Sequence, residues 1–158
     1  MSILKVDTIN EKTSGNGVAI TGHVIGYGHT EHATQINVTS TSYVDSGISL
    51  TYTAKKANSK LLISWCVPCE HYDGGSNSEL IGELLLYKDG SSVGSSYNSF
   101  TTHENVKRSG GPVTAQFLLD AGDTNAHTWK LYSKTTTDTF TVFRYNVKGS
   151  LTIMEIAQ

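Results

Sequence analysis

Two short motifs carry residue types that could do chemistry. Cys66-Val67-Pro68-Cys69 has the CxxC spacing of a redox dithiol or of half a zinc site. A redox pair needs its first thiol at a helix N-terminus, where the dipole lowers the thiol pKa, and zinc needs a second ligand pair at comparable spacing. Here the motif follows Leu61 to Val67, an apolar run that reads as a strand, and strand positions three apart face opposite ways. The reading is therefore a small buried thiol with a strand-terminating proline, both thiols being reduced. The second motif is His29-Thr30-Glu31-His32, with His23 close by. Histidines three apart share a metal on a helix but diverge along a strand, and HxxH with one Glu lacks the HExxH zincin pattern. In a three-fold assembly one inward histidine would be presented three times around an axis, but solvated or interface histidines are the expectation, and no metal or cofactor is assigned.

The remaining chemistry is sparse. His71 and His103 fall in loop-like segments and His127 starts a strand. There is no GxSxG elbow, P-loop, GxGxxG or EF-hand pattern, and the carboxylates are scattered through turns, so no glycosidase pair can be named. A non-enzymatic protein is expected. Contact chemistry is more legible. Glu70 to Asn77, with Tyr72, Asp73 and Asn77, and Ser91 to Gly111, with Tyr97, Asn98, Phe100 and His103, read as polar loops carrying aromatics. Tyr offers a flat apolar face with a hydroxyl, while Asn, Asp and Ser add hydrogen bonds, a combination suited to a glycan or a protein surface.

The elements that must position these residues are strands. In 158 residues there are 20 Thr and 18 Ser, while the charged fraction is 16%, a composition that suits pleated surfaces and starves solvated helices. Short apolar runs separated by turn residues recur from Ile36 to Ile156, without helical crossovers between them. About eight strands in an antiparallel jelly-roll-like β-sandwich are expected over residues 28–158. Asp45-Ser46-Gly47 marks a turn or bulge and Asp89-Gly90 a hairpin. Leu80 to Leu85 also fits a helical stripe behind a Ser76/Glu79 capping box, but Gly82 and the following Asp-Gly favour a strand.

Residues 1–27 read as an extended N-terminal arm of two short strands around Thr13 to Gly17, too small to be stable alone and so in need of a partner surface. A net charge of −2 disfavours nucleic acid. No apolar run approaches a membrane span and the opening residues lack an export signal, so assembly in a cytoplasm is expected.

Met1-Ser2-Ile3-Leu4-Lys5-Val6-Asp7-Thr8-Ile9, Thr13 to Ile20 and Gly22-His23-Val24-Ile25 resemble the opening of fibre and virion structural proteins of tailed bacteriophages, especially aquatic and cyanobacterial ones. Thr41 to Leu50, Asn58 to Ile63 and Leu151 to Ile156 are similar to their C-terminal domains. The resemblance implies a virion-docking arm, with Leu4, Val6, Ile9, Val18 and Ile20 as its residues, and a trimeric head like the tumour-necrosis-factor and C1q-like jelly rolls. With no room for a shaft, it implies a short homotrimeric tail fibre contributing to host attachment, or alternatively a capsid decoration (cement) protein. The implied partners are further copies of the chain, tail, baseplate or capsid proteins, and a host surface glycan or protein. A head of about 130 residues buries only about two thirds of its chain surface, so pooling apolar faces across a three-fold would add stability.

Overall fold

A computed structural model describes residues 20–72, 81–98 and 108–158, with 95–98 described by backbone alone. The strands are, in chain order, β1 (Val24–His32), β2 (Ile36–Val38), β3 (Val44–Thr53), β4 (Lys60–Tyr72), β5 (Gly82–Lys88), β6 (Ser91–Asn98), β7 (Arg108–Asp120), β8 (Ala126–Thr135), β9 (Thr139–Val142) and β10 (Gly149–Ile156). Their pairings are antiparallel.

β4 organises the first sheet. Its Lys60 to Cys66 stretch pairs with both β10 and β7, which must therefore lie on its two edges. Farther along, Cys69 to Tyr72 pairs with β9 on the β10 side, and β1 and β2 pair outward of β10 and β9. β1 with β2, and β9 with β10, are thus two interrupted strands, and the sheet is four strands wide. The second sheet runs β3-β8-β5-β6. The chain crosses between the two sheets in the manner of an eight-stranded jelly roll.

Alternation builds the core. Leu61, Ile63, Trp65, Val67, Cys69 and His71 point inward from β4, and meet Leu84, Leu86, Trp129 and Leu131 from the second sheet. Each such apolar side chain contributes about 1.5–3 kcal/mol on burial. The strand reading of this segment holds from Gly82 onward, as β5, and Leu80 lies outside the described residues. Asp89 (φ 49°) and Gly90 (φ 82°) form the two-residue turn joining β5 to β6, both left-handed as a hairpin of matching twist requires. The register of β3 shifts between Asp45 and Ser49, around Gly47 at φ 82°, and the Gly47 N–H donates to Asp45 Oδ1 at 2.8 Å.

Four details depart from the sequence reading. Pro68 does not end its strand. It stands opposite Pro112 inside β4, where β10 pairing has stopped at Cys66 and β9 pairing begins at Cys69, so no ladder donor is asked of it on that edge. His71 is no loop residue but is fully buried in β4. Ser91 to Gly111 contains β6 and the start of β7, because Ser, Gly and Thr fill an edge strand as readily as a loop. Residues 24–27, assigned to the arm, are the first half of the β1 pairing with β10. Just before them, the Gly22 N–H donates to the Ala157 carbonyl and the Ala157 N–H to the His23 carbonyl, each at 2.9 Å. Ile20 is exposed; Leu4, Val6, Ile9 and Val18 lie outside the described residues.

Candidate functional site

The two interrupted strands break side by side, at 33–35 and at 143–148, on the outer face of the first sheet. Between β9 and β10 the chain makes a 3₁₀ turn at Arg144–Asn146, and Phe143 (φ 55°), Tyr145 (φ 58°) and Asn146 (φ 56°) are all left-handed without a glycine among them. Such backbone persists only where its surroundings over-determine it. Phe143 is fully buried and meets the His32 ring edge-on at 4.7 Å. A Cβ at Gly149 would come within 2.6 Å of the Phe143 ring, so glycine is what admits it. Gln35 ties down the rest. Its Oε1 accepts from Arg144 Nη1 (3.2 Å) and from the Tyr145 N–H (3.0 Å), while its own N–H donates to Asn146 Oδ1 (3.0 Å).

This turn separates two grooves. The first is polar, about 200 Å³, and is walled by Glu70 and Tyr72 from β4, Thr139 and Thr141 from β9, and Asn37 from β2. Arg108 of β7 and Arg144 close it over Glu70: Oε1 of that carboxylate lies 2.8 Å from Arg144 Nε and accepts from Arg108 Nη1 at 3.1 Å. The Arg108 guanidinium lies 4.9 Å over the Tyr72 ring, and that of Arg144 3.8 Å over Tyr145. The second groove is apolar, about 430 Å³, with Pro68, Pro112, Tyr145 and Val147 as its larger surfaces and Cys66 at its edge. Glu70 and Arg144 line both, so the two grooves adjoin at these side chains. With fixed donors on one side and flat apolar surface on the other, the arrangement suits binding of an amphipathic ligand.

Of the sequence-predicted contact residues, Tyr72 is in this site. Tyr97 and Asn98 lie on β6, paired with Leu84 and Glu83 at the edge of the second sheet. Asp73, Asn77, Phe100 and His103 lie outside the described residues. Sequence reasoning missed Gln35, Asn37, Arg108 and Arg144, which are brought together from three separate segments. One signal was available: Tyr145-Asn146 between two apolar runs, since Asn tolerates the left-handed region.

Within one chain the residues of the two motifs face apart. Cys66 is exposed and Cys69 buried, on opposite faces as the strand reading requires, and burial pushes the Cys69 thiol well above its ordinary pKa. His29 bonds Thr152 outside, while His32 packs inward on Phe143. Among the described residues no group of three His, Cys, Asp or Glu side chains is arranged to hold a metal ion. His127, on β8, is clamped between Asp89 of the hairpin turn and Asp123 of the preceding loop.

No protein-family model matches the chain, and no curated protein does. Among solved structures it is similar to dimeric latent PorU from Porphyromonas gingivalis, at 11% identity and a TM-score of 0.41, covering 90% of this chain and 14% of that one.

Proposed function

We propose that the chain is a non-enzymatic phage virion structural protein, a short homotrimeric tail fibre whose head contributes to host attachment. The observation that carries the attachment role is the pair of adjoining grooves around the Arg144 turn, edged by Tyr72, Arg108 and Tyr145. The resemblance of residues 1–25 and of the closing strands to phage fibre proteins supplies the virion context. Three copies would turn individually weak grooves into an avid surface.

Antibody labelling of purified particles by electron microscopy tests the location, and label at the tail or baseplate is expected. Adsorption to host cells tests the role. Tyr72→Ala and Arg108→Gln are expected to lower it while leaving particle yield unchanged, and normal adsorption by both would overturn the attachment reading. The alternative, a capsid decoration protein, is favoured by one feature: Tyr27 and Leu118 are exposed on the same outer face, at 62% and 58%, as a surface made for static burial would have them. That reading expects label over the capsid.

A further inference from the structure

We infer that the paired grooves bind an acidic saccharide, placing the sugar carboxylate in the polar groove and the C–H face of the ring on the apolar one. This rests on the attachment reading and names its ligand class. Three observations carry it. First, among the described residues lining the polar groove the charge balance is positive, in a chain whose net charge is −2: two guanidiniums share one carboxylate oxygen, that of Glu70. Each guanidinium has five N–H donors, and among the described residues Arg108 Nη1 and Arg144 Nη1 each make one hydrogen bond, to Glu70 and to Gln35. A second carboxylate is the partner whose geometry matches such forks.

Second, the forks are held before any ligand arrives. Arg144 is largely enclosed and meets Glu70, Gln35 and the Tyr145 ring, while the half-exposed Arg108 is aimed by one bond to Glu70 and by the Tyr72 ring, so part of the ordering cost is met before binding. Third, hydroxyls and flat apolar surface meet across the two arginines. Thr139 and Tyr72 bring hydroxyl-bearing side chains to one side, while the Thr141 hydroxyl there donates to Asn37 Oδ1 at 3.0 Å. Pro68, Pro112 and Tyr145 present apolar surface on the other. A pyranose ring has the same division, a rim of hydroxyls around an apolar C–H face, whereas a bare inorganic anion would use only the arginines.

The test is calorimetric titration of the full chain with tetragalacturonate, with its methyl ester and inorganic phosphate as comparators. Saturable binding of the acid with Kd on the order of 1 mM is expected. The neutral ester and the Arg108→Gln variant should each bind about tenfold more weakly or worse, the loss of one charge-assisted interaction. Lys130→Gln removes one positive charge from the second sheet and should leave binding unchanged; a loss equal to that of Arg108→Gln would reduce the effect to overall charge and overturn the assignment. So would equal affinity for acid and ester, displacement by phosphate at equal concentration, or no saturation up to about 20 mM. Arg144→Gln is a weaker probe because Arg144 also anchors its turn, which is why Arg108 is the variant of choice. If Arg108→Gln lowers host adsorption while the acid does not bind, the ligand class is overturned and the attachment role stands. If the acid binds as expected and adsorption is unchanged, the ligand class stands and the attachment role fails.

Discussion

The Glu155 carboxylate lies fully buried near the end of β10, facing four donors. Oε2 accepts from the Tyr52 hydroxyl (2.9 Å) and the Lys55 N–H (2.8 Å), Oε1 from the Lys56 N–H (2.9 Å) and the Ser59 hydroxyl (2.7 Å). Burial by itself would push its pKa up, and the donors outweigh it and hold the group below its ordinary value. Glu155→Gln turns one acceptor into an amide NH₂ facing two of those donors. It is expected to lower stability by about 1–3 kcal/mol, read as a lower urea midpoint at unchanged slope. Two histidines work against each other in pH. The Gly82 N–H donates to His71 Nε2 at 2.9 Å, and burial lowers the His71 pKa from 6.5 to about 4, so its contribution is complete above pH 6.5 and is lost as pH falls toward 4. His127 is the opposite case. Protonated, it donates to Asp89 and to Asp123, which raise its pKa, while the backbone N–H groups of Thr128 and Asn125 and the His127 ring lower those of the aspartates. Its contribution is complete below 6.5 and is lost as pH rises through the raised value. That of the aspartates is complete above 3.8 and is lost as pH falls through theirs. The stability gap between the wild type and His127→Asn is therefore expected to be widest between pH 3.8 and 6.5 and to narrow on both sides, as followed by urea midpoints across pH.

At the scale of elements, the turns and breaks decide where strands stop and what they expose. Gly90 and Gly47 share a left-handed backbone, φ 82° in each, but not their surroundings. A Cβ at Gly90 meets nothing within 4 Å, whereas at Gly47 it would come within 2.9 Å of His32 Nε2. Gly90→Ala is expected to cost about 1 kcal/mol, the left-handed penalty alone. Gly47→Ala should cost more, because it also displaces the ring that packs on Phe143 beneath the candidate site. Thermal unfolding of both variants ranks them, and only Gly47→Ala is expected to weaken ligand binding. The paired strand breaks are the element-level origin of the site. A continuous β9/β10 strand would run residues 143–148 along the ladder beside β4, and there would be no Arg144 turn to wall the grooves.

For the whole molecule, the two outer faces differ in character. The second sheet is laced with ion pairs, Lys130 with Asp45 at 2.7 Å and Lys134 with Glu83 at 3.2 Å, around a Tyr87–Tyr132 stack. The first sheet carries ion pairs too, Lys60 with Asp120, Lys148 with Glu31, and Arg108 and Arg144 with Glu70, but it also exposes Tyr27, Leu118, Tyr145 and Val147. These exposed apolar side chains are the surface that self-association would cover, and the trimer proposed above has a direct check. Sedimentation of the full chain is expected to give about 51 kDa, three times the 17.1 kDa of one chain, and deletion of residues 1–25 should lower that mass; a monomer unaffected by the deletion would contradict the trimer.

Most of the fold was legible because strand alternation, the Asp89-Gly90 turn and the Asp45 to Gly47 bulge are local signals, each written within a few residues. The β reading of Leu80 to Leu85 followed from the same kind of signal, Gly82 and the nearby turn. The polar edge strand β6 was not legible, since its Ser and Gly residues carry no apolar period and its place is set by pairing with β5. Of the candidate site, Tyr72 alone was read, from its type beside a turn. The sequence by itself determined an all-β chain, the sheet-forming runs and the opposite facing of Cys66 and Cys69, because a strand's period of two is a property of neighbouring residues. Only the tertiary structure decided that Gln35, Glu70, Arg108 and Arg144 meet, because antiparallel pairing brings together residues as much as 109 positions apart, a proximity that no local pattern encodes.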